Sequence, residues 1–176
     1  MPRPQPAPVP GLVEPPDNVP AIEPGSVLPA TIMQWLDAVP DPEIPVISIV
    51  DLGIIRGVSW RGRSLVVKVT PTYTGCPATR VINDLIRQAL TTKGVNDIRL
   101  ERQISPPWTT DWISAKGRAA LERYGIAPPQ ASGGPRRCPH CGATALEQVS
   151  PFGSTPCKAQ WRCLSCLEPF DYFKCI

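Results

Sequence analysis

The sequence predicts a mixed α/β (α+β) chain in two modules. The first is a small domain holding a β-hairpin and a strand–helix–strand unit, and the second is a compact ribbon held by four cysteines. Three observations point there. Leu65, Val67 and Val69 alternate with Val66, Lys68 and Thr70, which is the period of a strand. Val81, Ile82, Leu85, Ile86 and Leu90 then mark one face of a helix. Cys138-Pro-His-Cys141 and Cys163-Leu-Ser-Cys166 are two C-x2-C pairs on either side of residues 142–162.

Composition narrows the function classes. The chain has 176 residues, enough for one ordinary domain or two small ones. A net charge of +3 is too weak to imply nucleic acid or an anionic membrane. No apolar run approaches the ~18 residues that span a bilayer. Met1-Pro-Arg-Pro-Gln-Pro6 lacks the apolar core of a signal peptide, so the cytoplasm is the expected location. Of the seven cysteines, only Cys76 precedes residue 138. In a reducing compartment that distribution suits a metal site plus extra thiols better than disulfides.

Residues 1–28 carry much of the proline excess and no hydrophobic period. Repeated Pro blocks helix and sheet alike, so a disordered or polyproline-like tail is expected. A docking peptide for a Pro-binding groove is the alternative. The first domain is expected over 29–127. It opens with a helix over Ala30–Val39, where Ile32, Met33, Leu36 and Val39 share a face until Pro40 and Pro42 stop it. The segment from Asp41 to Ile55 is too Pro-broken for a helix and too apolar for a free loop. It is expected to pack across the core and end at a Gly53 turn. Arg56–Trp60 and Ser64–Thr70 read as a hairpin turning at Gly62. The helix after Pro77 ends before Gly94, a C-cap glycine, and Val95–Ile104 forms a third strand. Strand, helix and strand in this order favour a parallel pair with a right-handed crossover. A helix capped at Thr109 or Thr110 should then run to Tyr124 and close at Gly125. Residues 128–135 read as a linker that leaves module orientation free, and 136–176 as the ribbon.

In the ribbon, two residues between cysteines let a tight knuckle aim both sulfurs at one ion. Two knuckles complete a thiolate tetrahedron, which suits structural Zn2+ on Cys138, Cys141, Cys163 and Cys166, with redox dithiols or an iron–sulfur centre as the alternatives. Four cysteines leave no open position for a catalytic water, so this ion should fold the module. His140 is expected outside the ligand set. Cys157 could replace one ligand, though its spacing is poorer, and Cys175 should pack as a small hydrophobe. Trp161, Phe170, Tyr172 and Phe173 should cover the ribbon's sheet.

Cys76 lies between Gly75 and Pro77. With Pro77 as the first helical residue, Cys76 would stand near the N-cap, where free amides favour a thiolate. Such a thiol suits a nucleophile or transient metal ligand, and a buried cysteine without chemistry is the plain alternative. Asp41, Glu43 and Asp51 could brace the backbone or complete a weak metal site beside Cys76. The single histidine, His140, lies in the ribbon, which removes ordinary histidine acid–base chemistry. No Gly-rich phosphate loop is present.

Asp41-Pro-Glu43, Asp51-Leu-Gly53 and Thr72-x-Thr-Gly-Cys-Pro77 together resemble the SufT-type iron–sulfur assembly domain. With the terminal run Cys157-Lys-Ala-Gln-Trp-Arg-Cys-Leu-Ser-Cys-Leu-Glu-Pro-Phe-Asp-Tyr-Phe-Lys-Cys-Ile176, the chain is similar to the D-component branch of phenylacetyl-CoA 1,2-epoxidase systems of aerobic phenylacetate degradation. The resemblance implies a maturation role in iron or iron–sulfur assembly, with Cys76 as the reactive position. Asp41 and Glu43 would lie near it, and Thr72 and Thr74 would line its loop. It also implies partners among the oxygenase or reductase subunits, and a transient iron or iron–sulfur cargo. Four hypotheses stay open: a maturation factor, a stoichiometric structural subunit, a thiol oxidoreductase with a resolving cysteine from the ribbon, and a nucleic-acid-binding ribbon. The small charge disfavours the last.

Overall fold

A computed structural model describes residues 19–73, 75–131 and 133–174. Residues 1–18 of the expected tail, Thr74 and Cys175 lie outside the described residues. The rest of that tail departs from a solvated extension. Ile22 donates its N–H to the Gly94 carbonyl at 3.0 Å, and Val27 O accepts the Trp60 indole N–H at 3.0 Å. Apolar Ile22 and Val27 also pack on the core, which gives this stretch the burial that proline alone denies it.

Helix α1 (Pro29–Asp37) has Pro at its start, where no N–H is needed, and buries Ile32 and Leu36. The following segment lies across the core as expected, with Ile44, Ile47, Ile49, Leu52 and Ile54 buried. Its amides stay paired: Asp41 N–H donates to Ile47 O at 2.9 Å and Ile49 N–H to Val39 O at 3.0 Å. Gly53 ends it at φ +77°, where an added Cβ would meet Trp112 Cβ at 2.7 Å.

β1 (Ile55–Arg61) and β2 (Ser64–Val69) pair antiparallel, with Arg61 opposite Ser64 across the Gly62 turn. Helix α2 (Thr79–Thr91) buries Ile82, Ile86 and Leu90. It connects β2 to β3 (Ile98–Arg102), which runs parallel to β2, so the first sheet has the order β1-β2-β3.

The helix expected from Thr109 to Tyr124 is broken in two. A 3₁₀ turn spans Thr110–Trp112, and Ile113 is extended (φ −68°, ψ 123°). Ser114 then starts α3 (Ala115–Arg123) by accepting the Gly117 N–H at 2.9 Å. Its hydroxyl also donates to Asp51 Oδ1 at 2.6 Å, and this pull toward Asp51 is the reason for the break.

The second sheet has the order β4-β7-β6-β5: β4 (Ile126–Ala127), β5 (Leu146–Ser150), β6 (Lys158–Cys163) and β7 (Pro169–Phe173). Here the free-orientation expectation for 128–135 fails. β4, contributed from before the linker, pairs parallel with β7 inside the ribbon's own sheet. Arg118 Nη1 donates to Pro129 O at 3.0 Å, and Arg137 pairs with Glu122 at 3.0 Å. Phe173 does not cover the ribbon's sheet. It and Cys157 join the first module's hydrophobic core, with the Phe173 ring 6.1 Å from Trp108. The ribbon keeps a smaller core of Ala127, Cys138, Ala159, Cys163, Phe170 and Tyr172.

Candidate functional site

The ribbon brings Cys138, Cys141, Cys163 and Cys166 together, all four sulfurs within 4.8 Å of one another. Cys138 Sγ lies 3.8 Å from Cys166 Sγ, and Cys141 Sγ lies 3.6 Å from Cys163 Sγ. A tetrahedron with metal–sulfur bonds near 2.3 Å has edges of about 3.8 Å, so the spacing fits one such ion. Backbone amides aim at the sulfurs: His140 N–H donates to Cys138 Sγ at 3.4 Å, and Ser165 and Cys166 N–H to Cys163 Sγ at 3.4 and 3.5 Å. The Cys166 amide, helped by that of Ser165, holds the Cys163 thiol down at about 6, toward the thiolate a metal needs. Gly142 (φ +78°) closes the first knuckle, and Leu167 (φ +66°) takes the matching position in the second.

His140 stands outside this cluster. Its ring lies against Gly125 and meets Phe170 edge-on, with centroids 6.5 Å apart, so it sits where the two modules meet. Cys157 is outside the cluster too.

A second candidate site, a cavity, lies where the modules meet. Asp41, Glu43, Thr72 and Cys76 line one cavity of about 20 Å3, together with Cys157 and Phe173 from the ribbon. The remaining wall is largely aliphatic, including Ile44, Ile54 and Val69. Cys76 stands farther from the helix than its motif implies. Helix α2 begins at Thr79 with Ala78 as N-cap, so Pro77 is not its first residue. The cause is a separate turn: Cys76 O accepts the Thr79 N–H at 3.2 Å, and Cys76 N–H donates to Tyr73 O at 3.3 Å. Gly75 takes φ +89° just before it.

The carboxylates differ in role. Asp41 is buried, and its Oδ1 accepts the Glu43 and Ile44 amides at 2.9 and 2.8 Å. Burial outweighs those two bonds and pushes its carboxyl above the ordinary range. Glu43 is raised as well, by burial first and by Asp41 second. Asp51 is a brace away from Cys76, held by Ser114 and by Lys116 Nζ at 2.9 Å. Burial also raises the Cys157 thiol, which contacts Thr155 Oγ1 at 3.0 Å. Tyr73 Oη is buried without a hydrogen-bond partner. Burial, and after it the Cys76 thiol, push its phenol up to about 12.

Sequence reasoning missed Cys157 and Tyr73 as neighbours of Cys76. The available signal was that Cys157 belongs to neither C-x2-C pair. For Tyr73 it was adjacency within the same loop.

Comparison with known proteins agrees with both modules. Residues 29–99 match the family described as iron-sulfur cluster assembly protein, and residues 129–174 match the PaaD zinc beta ribbon domain. An iron–sulfur assembly domain joined to a four-cysteine ribbon is thus the class that fold and site define. The chain belongs to the PaaD family: it is 49% identical over 151 residues to an Escherichia coli (strain K12) protein, covering 82% of this chain and 92% of that one. The provisional name of that relative makes it the D component of a 1,2-phenylacetyl-CoA epoxidase. Two shorter relatives match the first module. A Porphyromonas gingivalis (strain ATCC BAA-308 / W83) Fe-S protein maturation auxiliary factor is 34% identical over 92 residues, covering 51% of this chain and 87% of its own. The Bacillus subtilis (strain 168) Fe-S protein maturation auxiliary factor YitW is 35% identical over 96 residues, covering 53% of this chain and 93% of its own.

Proposed function

We propose that this chain is an accessory maturation subunit of a phenylacetyl-CoA 1,2-epoxidase system. It assists assembly of an iron or iron–sulfur centre in the oxygenase or its reductase, and Cys76 is its working thiol. The observation that carries this reading is the cavity itself, where a turn-borne cysteine shares a wall with Asp41 and Glu43. A thiol with nearby carboxylates is a donor set for iron. The relatives support it: two are named as Fe-S protein maturation factors and one as an epoxidase component. The ribbon's ion is zinc in this reading. With four sulfurs closed around it, it holds the fold and leaves the handling of iron to the cavity.

The test is to produce the epoxidase subunits with this protein, without it, and with Cys76→Ser, and to measure iron per oxygenase and per reductase chain. Iron should fall in both test cases, and the depleted chain identifies the client. Full iron in a complex that has lost a component or its activity would replace this reading with a purely structural subunit.

A further inference from the structure

The four ribbon ligands are complete without Cys157, yet this thiol is buried to 4% exposure inside the other module's core. It lines the same cavity as Cys76, Asp41 and Glu43. Buried polar groups are normally paired, and one in the turn that carries Cys76 is not. Tyr73 Oη has no hydrogen-bond partner. Both bonds to Asp41 end on Oδ1, and Glu43 offers a carboxylate to the same wall.

We propose that Cys157 is a second thiol donor to the Cys76 site, which binds one divalent transition-metal ion between the modules. This rests on the reading of Cys76 as the working thiol. Two soft sulfurs with two hard carboxylates select a borderline ion such as iron(II), and calcium or magnesium would find too few oxygens. The cavity of about 20 Å3 has room for about one water, the scale of a single ion. Among the described residues only the ribbon's donors already converge on one point. The cavity's donors line walls from two modules, Asp41, Glu43 and Cys76 from the first and Cys157 from the ribbon. Binding exchanges thiol protons for metal–sulfur bonds, with the protons passing to solvent and no change of oxidation state.

The test is anaerobic titration of the full-length, zinc-loaded chain with cobalt(II), counting cobalt bound against zinc released. X-ray absorption at the cobalt edge then counts its sulfur neighbours. One cobalt with two sulfurs is expected in the unsubstituted protein. Cys157→Ser and Cys157→Ala should each leave one sulfur and weaken binding at least about tenfold, the scale on which losing even an outer partner weakens a metal site. One sulfur in the unsubstituted protein overturns the inference, even if the variants misfold. So does full binding in both variants, or cobalt found only where zinc was released. If Cys76→Ser abolishes binding while the Cys157 variants retain it, this inference falls and the reading of Cys76 stands.

Discussion

Asp41 binds its proton more tightly in the folded chain than in the unfolded one, because burial disfavours the carboxylate. The sign follows from linkage. The stability it lends is fully present below its unfolded value of 3.8 and is lost as pH rises through its higher folded value. Asp41→Asn keeps an acceptor oxygen for the Glu43 and Ile44 amides and cannot ionise. In urea unfolding from pH 4 to 8, the unsubstituted chain should lose stability relative to this variant as pH rises. Asp41→Ala leaves both amides without their acceptor and should cost about 1–3 kcal/mol across the range. A gap between chain and Asn variant that does not change with pH would show that Asp41 ionises freely. At this scale the ribbon ligands were legible, because two C-x2-C pairs state their geometry locally. The Cys157 environment was not, since 81 positions separate it from Cys76 and only tertiary packing brings them to one cavity.

Elements were legible wherever one period ran undisturbed. The hairpin, α2 and the parallel β2–β3 pair follow from alternation, amphipathic spacing and Gly94. The segment before α3 misled because Ser114 serves two partners, Gly117 and Asp51, and the second lies across the fold. The Trp112 turn is also pressed against Gly53, whose left-handed backbone permits the approach. Gly53→Ala combines a left-handed cost of about 1–2 kcal/mol with overlap against Trp112 Cβ and carbonyl, for a total of about 2–4 kcal/mol. Urea denaturation measures it. A loss under about 1 kcal/mol would mean that the Trp112 turn moves aside freely.

For the molecule as a whole, the linker composition and the cysteine spacing speak for two separate modules, and neither reveals that they share one core. The β7 pattern contained a hint: with period two, Phe170 and Tyr172 take one face while Asp171 and Phe173 take the other. The first pair fills the ribbon, and Phe173 enters the neighbouring core beside Trp108. Removing the ribbon's metal should therefore weaken β2 as well as the ribbon. Hydrogen exchange at Val66 and Val67 with and without chelator checks this: faster exchange after chelation is expected, together with a single unfolding transition. Unchanged exchange in β2 would make the modules independent. No helix among the described residues is long and apolar enough to cross a membrane.

The shared core also gives the molecule a history during its synthesis. Ribosomes add about 5–20 residues per second, so roughly 4–16 s pass between the translation of Cys76 and that of Cys157. Through that interval the nascent chain has a shelf where the finished protein has a chamber. Cys76 is half-buried in the finished protein, and until then it lacks the neighbours that Cys157 and Phe173 supply.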